Sequence, residues 1–520
     1  MSPDPFWFDD SEDLDPLFSS PKKPTDSEIQ QILDRFIAQD LTDAEAEAAL
    51  ERMSRSRKQV CPFIWELCRS TDPTRYSVGS ILVIELNLTE LREPLRKLIK
   101  GAEIDDKHKM RLLAALEAVG GLRPGEDPMT FLHDPEAAAR DARETFVAIL
   151  QDPVQLSQML EDDLVSDGGN ILNPATIAVM AASRDRRLMP LLLCLLHAPQ
   201  DALVLAAIEG LGTIGDAAAL AALEERAEWD ASAKVRRAAR RVATELKASL
   251  TETSTTIFEL PVAPPPVQRC LLSTIDGVGG QMLLVIRQSP NGERTYLDVM
   301  FDDQVGIKDC FGGRSETQVD LEDELLQAAD DHGFDVVDVT LSHVRAELER
   351  AYQTTLKARR RAVPTYPAWR DWLCGEDDRP LEFHPLPSLT AAEMTNLLPR
   401  CVEVLDLPEF VSWHFESRDL SAYERRYRKL LNRPGTDEAI EAVIGEAIAL
   451  KSQPDWCALV KNRLERQAWL LAQLYEDEEI PKLALAAAYG LDPASGVRPT
   501  DHPLVREMMR RTLSGPLVPF

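Results

Sequence analysis

Four carboxylates crowd one short stretch of this 520-residue chain: Asp298, Asp302, Asp303 and Asp309, with Lys308 and Cys310 beside them. Alternation along a strand places Asp298 and Asp302 on one side, where paired carboxylates can hold a divalent cation or serve as acid and base. The same residues suit a strand that ends in a turn at Asp302-Asp303, and a chain with 87 acids makes such clusters by chance. The acid-x-Lys spacing of a common nuclease core is missing. The loop Asp276-Gly277-Val278-Gly279-Gly280 could cradle a phosphate, but it lacks the Lys-Ser/Thr of a P-loop and leads into a strand. A turn is the better reading. The eight histidines show no HExxH spacing and the eight cysteines form no CxxC pair. Asp309 beside Cys310 disfavours a thiolate there. The sequence therefore assigns no catalytic residue, no metal ligand and no cofactor.

Two basic segments offer binding chemistry instead. Over Lys234–Lys247 a buried stripe of Val235, Ala239, Val242 and Leu246 leaves Arg236, Arg237, Arg240 and Arg241 on the opposite face. That face could grip an acidic segment or phosphates; it could equally be a solvated face paired with Glu224, Glu225 and Glu228 of the preceding helix. Arg425, Arg426, Arg428, Lys429 and Arg433 are interleaved with Tyr423 and Tyr427, a pattern that can stack on and neutralise nucleic acid. An amphipathic helix with its aromatics turned inward explains the pattern as well. A third element is Phe6-Trp7-Phe8, set among six acids in the first 15 residues, which reads as a docking peptide with aromatic anchors or as plain disorder.

The elements that position these residues follow from composition and period. At 44% hydrophobic residues the chain can bury a sizeable core, and its length implies two to four domains. A formal charge of −29 opposes generic binding to nucleic acid or anionic membranes and favours protein partners with basic or mixed-charge surfaces. No apolar run reaches the roughly 18–20 residues that cross a bilayer. The acidic start is unlike a secretory signal, and the cysteines look like reduced core residues, so a cytoplasmic protein is expected.

The strongest pattern is a helical repeat. Val204–Gly212 reads VLAAIEGLG and returns 31 residues later as VRRAARRVA from Val235, with Val204 over Val235, Ala207 over Ala238 and Leu211 over Val242. A loop with Gly215 and Asp216 separates Val204–Gly212 from a second apolar helix. Leu112–Gly120, LLAALEAVG, matches it again 92 residues upstream, close to three repeats. Such spacing is what stacked helix pairs require, because each must bury its apolar face on the next.

Small residues at helix crossings, a Gly-Asp loop and a period near 30 resemble HEAT repeats, in particular the short HEAT-like variety of phycobilisome lyases, over about residues 108–247. The resemblance implies a curved α-solenoid that binds macromolecules. It carries over no catalytic residue.

The expected fold is mainly α: a HEAT-like α-solenoid, then a small α+β domain and a C-terminal helical region. Residues 1–24 read as a disordered acidic tail and 25–250 as the repeat domain. Residues 251–266 read as a Thr/Pro-rich linker, since TETSTT and PVAPPP make a stiff extended segment. In 267–361 the period changes to 2: strands at Cys270–Ile275, Met282–Arg287 and Thr295–Phe301, an Asn291-Gly292 hairpin, and helices near Val319–Asp331 and Leu341–Arg360. Residues 362–389 read as an irregular Pro/aromatic strap and 390–520 as helices, with capping boxes at Thr390/Glu393 and Ser421/Glu424. The functional expectation is a non-enzymatic protein-interaction scaffold. Its rivals are an enzyme or pigment-handling lyase-like factor with a metal site in the α+β domain, and a nucleic-acid binder using the basic helices.

Overall fold

The computed structural model describes residues 16–19, 22–38, 40–101, 103–123, 125–164, 172–249, 264–315, 334–374, 389–416, 418–433 and 435–515. The chain is mainly helical with one five-stranded antiparallel sheet. It divides into two compact units, residues 1–146 and 147–520. The division falls inside the stretch read above as one repeat domain.

The first unit holds α1 (Pro16–Ser19), α2 (Asp26–Ala38), α3 (Asp43–Ser54), α4 (Arg57–Cys68), α5 (Pro73–Glu85), α6 (Arg92–Lys100) and α7 (Asp106–Ala118); α8 (Pro135–Leu150) reaches the division. Side-chain caps start the helices where the sequence places them. Thr25 and Glu28 exchange hydrogen bonds at the head of α2, Thr25 N donating over 2.6 Å and Glu28 N over 3.3 Å. Thr42 and Glu45 form the same box on α3, and Asp72 caps α5 ahead of Pro73. One stripe of α2 packs inward: Ile29, Ile32 and Leu33 are buried with Ile64, Leu82, Leu95, Leu112 and Leu116. One expectation is corrected. The acidic tail taken to reach residue 24 contains a turn of helix, α1, whose Phe18 is buried beneath the Arg35 guanidinium because its ring buries more apolar surface than the exposed turn costs.

In the second unit α9 (Pro153–Leu164), α10 (Pro174–Ala182), α11 (Met189–Leu195), α12 (Asp201–Ile214), α13 (Leu220–Trp229) and α14 (Ala233–Ser249) come first. The 31-residue offset reappears as packing. Helix α12 lies on α10 and α14, and α13 on α14. Val204, Ile208 and Leu211 are buried, as are Val235, Ala239 and Val242 at the same offset. Ala238 is only half-buried, so Ala239 rather than Ala238 carries the contact. Gly215, at φ 76°, ends α12 in the left-handed region that favours glycine, and Asp216 caps the next turn by accepting from Ala218 N.

The sheet runs in the order β4-β3-β2-β1-β5, from β1 (Val267–Ser273), β2 (Gly280–Gln288), β3 (Arg294–Asp302), β4 (Gly306–Ser315) and β5 (Val336–Asp338). The three expected strands and the Asn-Gly hairpin are present, with Ser289 N donating to Glu293 O at 2.8 Å across the turn. Strand β4 was not expected. Its Lys308, Asp309 and paired glycines hide the alternation, and pairing with β3 overrides their weak strand preference. Leu283, Val285, Leu297, Val299 and Phe301 point from one face into a core with Val344, Leu348, Tyr352 and Leu356, one side of α15 (Leu341–Lys357) at helical spacing. The helix expected at 319–331 lies outside the described residues.

The Pro/aromatic strap is corrected in part. Tyr366–Cys374 forms α16, and Trp369 and Trp372 are buried in the sheet's core rather than laid over a surface. Residues 375–388 lie outside the described residues. Helices α17 (Ala391–Leu397), α18 (Ser421–Leu431), α19 (Asp437–Lys451), α20 (Pro454–Leu474), α21 (Glu479–Gly490) and α22 (Pro503–Ser514) build the last core around Trp413, Ile444, Leu464 and Leu471. The Thr390/Glu393 box forms. The Ser421/Glu424 box does not: Leu420 is the N-cap, and Ser421 already lies inside the helix, where its hydroxyl cannot cap. Pro481 sits within the first turn of α21, where its missing N–H costs no helical hydrogen bond.

Candidate interaction surface

The four arginines of α14 share a helix but not a site. Arg236 donates to Asp230 O at 2.5 Å and Ala231 O at 2.8 Å, and Arg240 to Ala227 O at 3.2 Å, so both satisfy carbonyls at the preceding helix end. Arg241 pairs with Glu245 one turn on and with Glu209 of α12, and Lys247 pairs with Glu224. Arg237 alone is exposed without a hydrogen bond or ion pair among the described residues. Exposed pairs of this kind contribute about 0–1 kcal/mol each, enough to hold side chains down. The basic face is largely spent on the chain's own acids and carbonyls.

The middle acids are likewise divided. Asp302 accepts from Gln304 N at 2.8 Å and Val305 N at 2.6 Å and so builds the β3–β4 turn. Asp303 turns away to Arg463. Asp309 accepts from Cys310 N at 2.8 Å. Asp298 is 5% exposed, and its Oδ1 has no hydrogen-bond partner. Burial, helped by the negative Asp309, pushes its carboxyl up to about 7. Met300 pairs with Asp309 and Asp298 with Phe311, which makes Asp298 and Asp309 diagonal neighbours on one face. Among the described residues no group of three or more His, Cys, Asp or Glu could hold a metal ion. Burial and the same two aspartates push the Cys310 thiol far up, so it is no nucleophile.

The glycine loop is a socket, and it is filled. Asp276 Oδ1 accepts from Val278 N at 2.9 Å and Gly280 N at 2.6 Å, while Gly277 N donates to Ser412 Oγ at 2.9 Å. Arg463 of α20 donates to Gly277 O and Val278 O, each at 2.6 Å. A Cβ at Gly277 would sit 2.0 Å from Ser412 O, so this close approach requires glycine. With these amides already engaged, the loop offers a phosphate no cradle.

Residues that the sequence reading passed over do the joining. Helix α20 buries one apolar stripe, Val460, Leu464, Ala468 and Leu471, and Arg463, Arg466, Gln467 and Leu470 form a second at i, i+3, i+4 and i+7 that faces the sheet domain. Gln467 Oε1 accepts from Ile275 N at 2.8 Å. Arg466 lies 3.1 Å from Glu347 of α15, which also pairs with Arg350. Burial opposes ionisation of Glu347, but Arg466 and Arg350 outweigh it and hold the carboxyl near 2. A second junction centres on Arg361. It forks onto the fully buried Asp230 at 2.8 and 3.0 Å, reaches Asp201 at 2.6 Å, and donates to Ala198 O at 2.9 Å. Tyr352 bonds to Glu225 nearby, and burial beside Arg226 keeps His197 neutral. The last helix pair and the sheet domain are thus held together by buried charge. The available signal was arginine recurring at helical spacing on a helix already assigned a buried face.

The basic–aromatic helix α18 turns Tyr427 inward, and Arg426 pairs with Glu446 at 2.6 Å while lying over Tyr423. What remains open is apolar. Helix α10 turns Ala175, Ala178, Val179 and Ala182 to solvent, with Val179 75% exposed. A cleft of about 380 Å³ with a mixed lining, Ile149, Met159 and Leu172 against Gln155, Gln158, Asp162 and Asp163, precedes α10 in the chain. In the first unit Ile81 and Ile84 of α5 are exposed. Phe6, Trp7 and Phe8 lie outside the described residues. No helix among the described residues is long and apolar enough to cross a membrane. Neither family models, curated proteins nor solved structures yield a match to this chain.

Proposed function

We propose that this protein is a protein-binding scaffold whose second unit presents HEAT-like helix pairs. The observation that carries the reading is the stack α10–α12–α14. Val204, Ile208 and Leu211 of α12 and their counterparts 31 residues on in α14 are buried, and α12 also lies on α10, so the exposed faces of successive helices lie side by side. At its start that surface is uncharged and unpartnered among the described residues, the composition of an interface core. A net charge of −29 favours partners with basic or mixed-charge rims around an apolar patch. The rival readings find less support. The carboxylates of the sheet domain are divided among separate structural tasks, and the arginines of α14 and α18 are mostly paired within the chain.

Removing residues 25–250 would cut through the second unit, so a surface substitution is the sharper test. Val179→Asp places a charge in the open α10 face without touching the core. Affinity capture with the full chain should yield partners that the V179D chain loses while circular dichroism and melting stay unchanged. If every partner survives in V179D and in a companion Ala178→Glu chain, the binding surface is not there.

A further inference from the structure

We propose that a cleft between α4 and α6 is the receptor for the chain's own acid-flanked aromatic segment, Phe6-Trp7-Phe8. The cleft has a volume of about 440 Å³ and is lined by Trp65, Glu93, Pro94, Lys97 and Leu98. Trp65, Pro94 and Leu98 are half-buried and supply an apolar floor, and Lys97 stands exposed on the rim. The Arg69 guanidinium lies 5.9 Å over the Trp65 ring. An aromatic floor with cationic edges suits a ligand that brings both rings and carboxylates.

Charge and tether both select the segment. Helices α4 and α6 with Arg69 hold seven bases against two acids, in a chain that is otherwise strongly acidic. Four of the seven are committed: Arg57 to Asn87 O, Arg69 to Glu66, Arg92 to Val119 O and Arg96 to Glu126. Lys97 carries no ion pair or hydrogen bond among the described residues and faces the cleft. Asp4, Asp9, Asp10, Glu12, Asp13 and Asp15 flank the aromatic triplet, and no base precedes Lys22. Glu93 on the same lining opposes them, so the rings belong over Trp65 and Leu98 and the acids toward Lys97. The described residues of this unit begin at α1, where Arg52 donates to Leu17 O and Phe18 is buried. Pro16 lies eight positions after Phe8, a reach of about 28 Å when extended. A unit of this size has a radius of gyration of about 15 Å, so the cleft is within range and the tether supplies a high local concentration.

The test uses the full chain with a photo-crosslinking residue in place of Phe8. Illumination should give intramolecular crosslinks mapping to Trp65, Pro94 or Leu98. Lys97→Glu, a substitution on the exposed rim, should cut their yield about fivefold, and 1 M salt should do the same. Crosslinks scattered over other surfaces would overturn the assignment. So would a yield indifferent to K97E, or crosslinks that form only between two chains and grow with protein concentration.

Discussion

Arg463 of α20 meets Asp303 of the β3–β4 turn in a two-pronged ion pair, Nε to Oδ2 at 2.7 Å and Nη2 to Oδ1 at 2.8 Å, with both side chains 5% exposed. The same guanidinium holds the glycine loop through two carbonyls. This side chain, with Arg466 and Gln467 beside it, fastens the C-terminal helices to the sheet domain. Removing one partner of a buried pair leaves the other charge stranded.

Arg463→Ala is therefore expected to destabilise the second unit by about 3–5 kcal/mol, read as a lowered urea midpoint. Arg463→Lys should recover little, because lysine cannot reproduce the fork. Removing both charges together, as Arg463→Met with Asp303→Leu, should cost clearly less than the sum of the single changes. Strict additivity would show that the two residues are not coupled.

Asp298 sets a pH dependence of opposite sign to an ordinary acid. Its folded carboxyl titrates near 7, against 3.8 when unperturbed. Between those values the folded state binds more protons than the unfolded state, so this residue's contribution to stability falls as pH rises from about 4 to 7. Above that range the cost is complete, roughly 4 kcal/mol at most. Asp298→Asn should stabilise the protein at pH 8, have little effect at pH 4, and flatten that part of the stability profile. Chemical denaturation at both pH values decides it.

Arg361 and Arg237 provide a contrast within one region. Arg361→Ala strips the fully buried Asp230 of its fork and should raise amide hydrogen exchange in α13 and α14, with a cost of about 3–5 kcal/mol. Arg237→Ala, on the exposed face, should change stability by no more than about 0.5 kcal/mol. Equal effects would contradict the division drawn along α14.

The cysteines should react in order of burial. Burial pushes the thiols of Cys68, Cys270 and Cys401 up to about 12 and that of Cys310 further, whereas Cys61 is half-buried and less raised. At pH 8 a thiol reagent should label Cys61 well before these four, which should react only in denaturant. Mass mapping of labelled peptides checks the order, and early labelling of Cys310 would show that the core opens.

Much of this fold was legible from neighbours along the chain. The Thr42/Glu45 and Thr390/Glu393 boxes, the stripe Val344-Leu348-Tyr352-Leu356, the Asn291-Gly292 hairpin and the 31-residue period all depend on spacings of a few residues or on one helix repeating another. Backbone hydrogen bonds and amphipathic faces are decided over that range, so residue types suffice to place them. Strand β4 and helix α16 escaped because pairing with β3 and burial of Trp369 override local preference.

Where each charge ends up was decided only in three dimensions. Arg463 and Asp303 lie 160 residues apart in sequence, and nothing near either one names the other. The four aspartates that looked like a site were separated by a turn, a strand face and an ion pair, and three of the four arginines of α14 were turned onto carbonyls and acids. An ionised group commits to whatever partner packing brings within about 4 Å as water is excluded. Composition supplied the charges, and tertiary packing assigned each one its task.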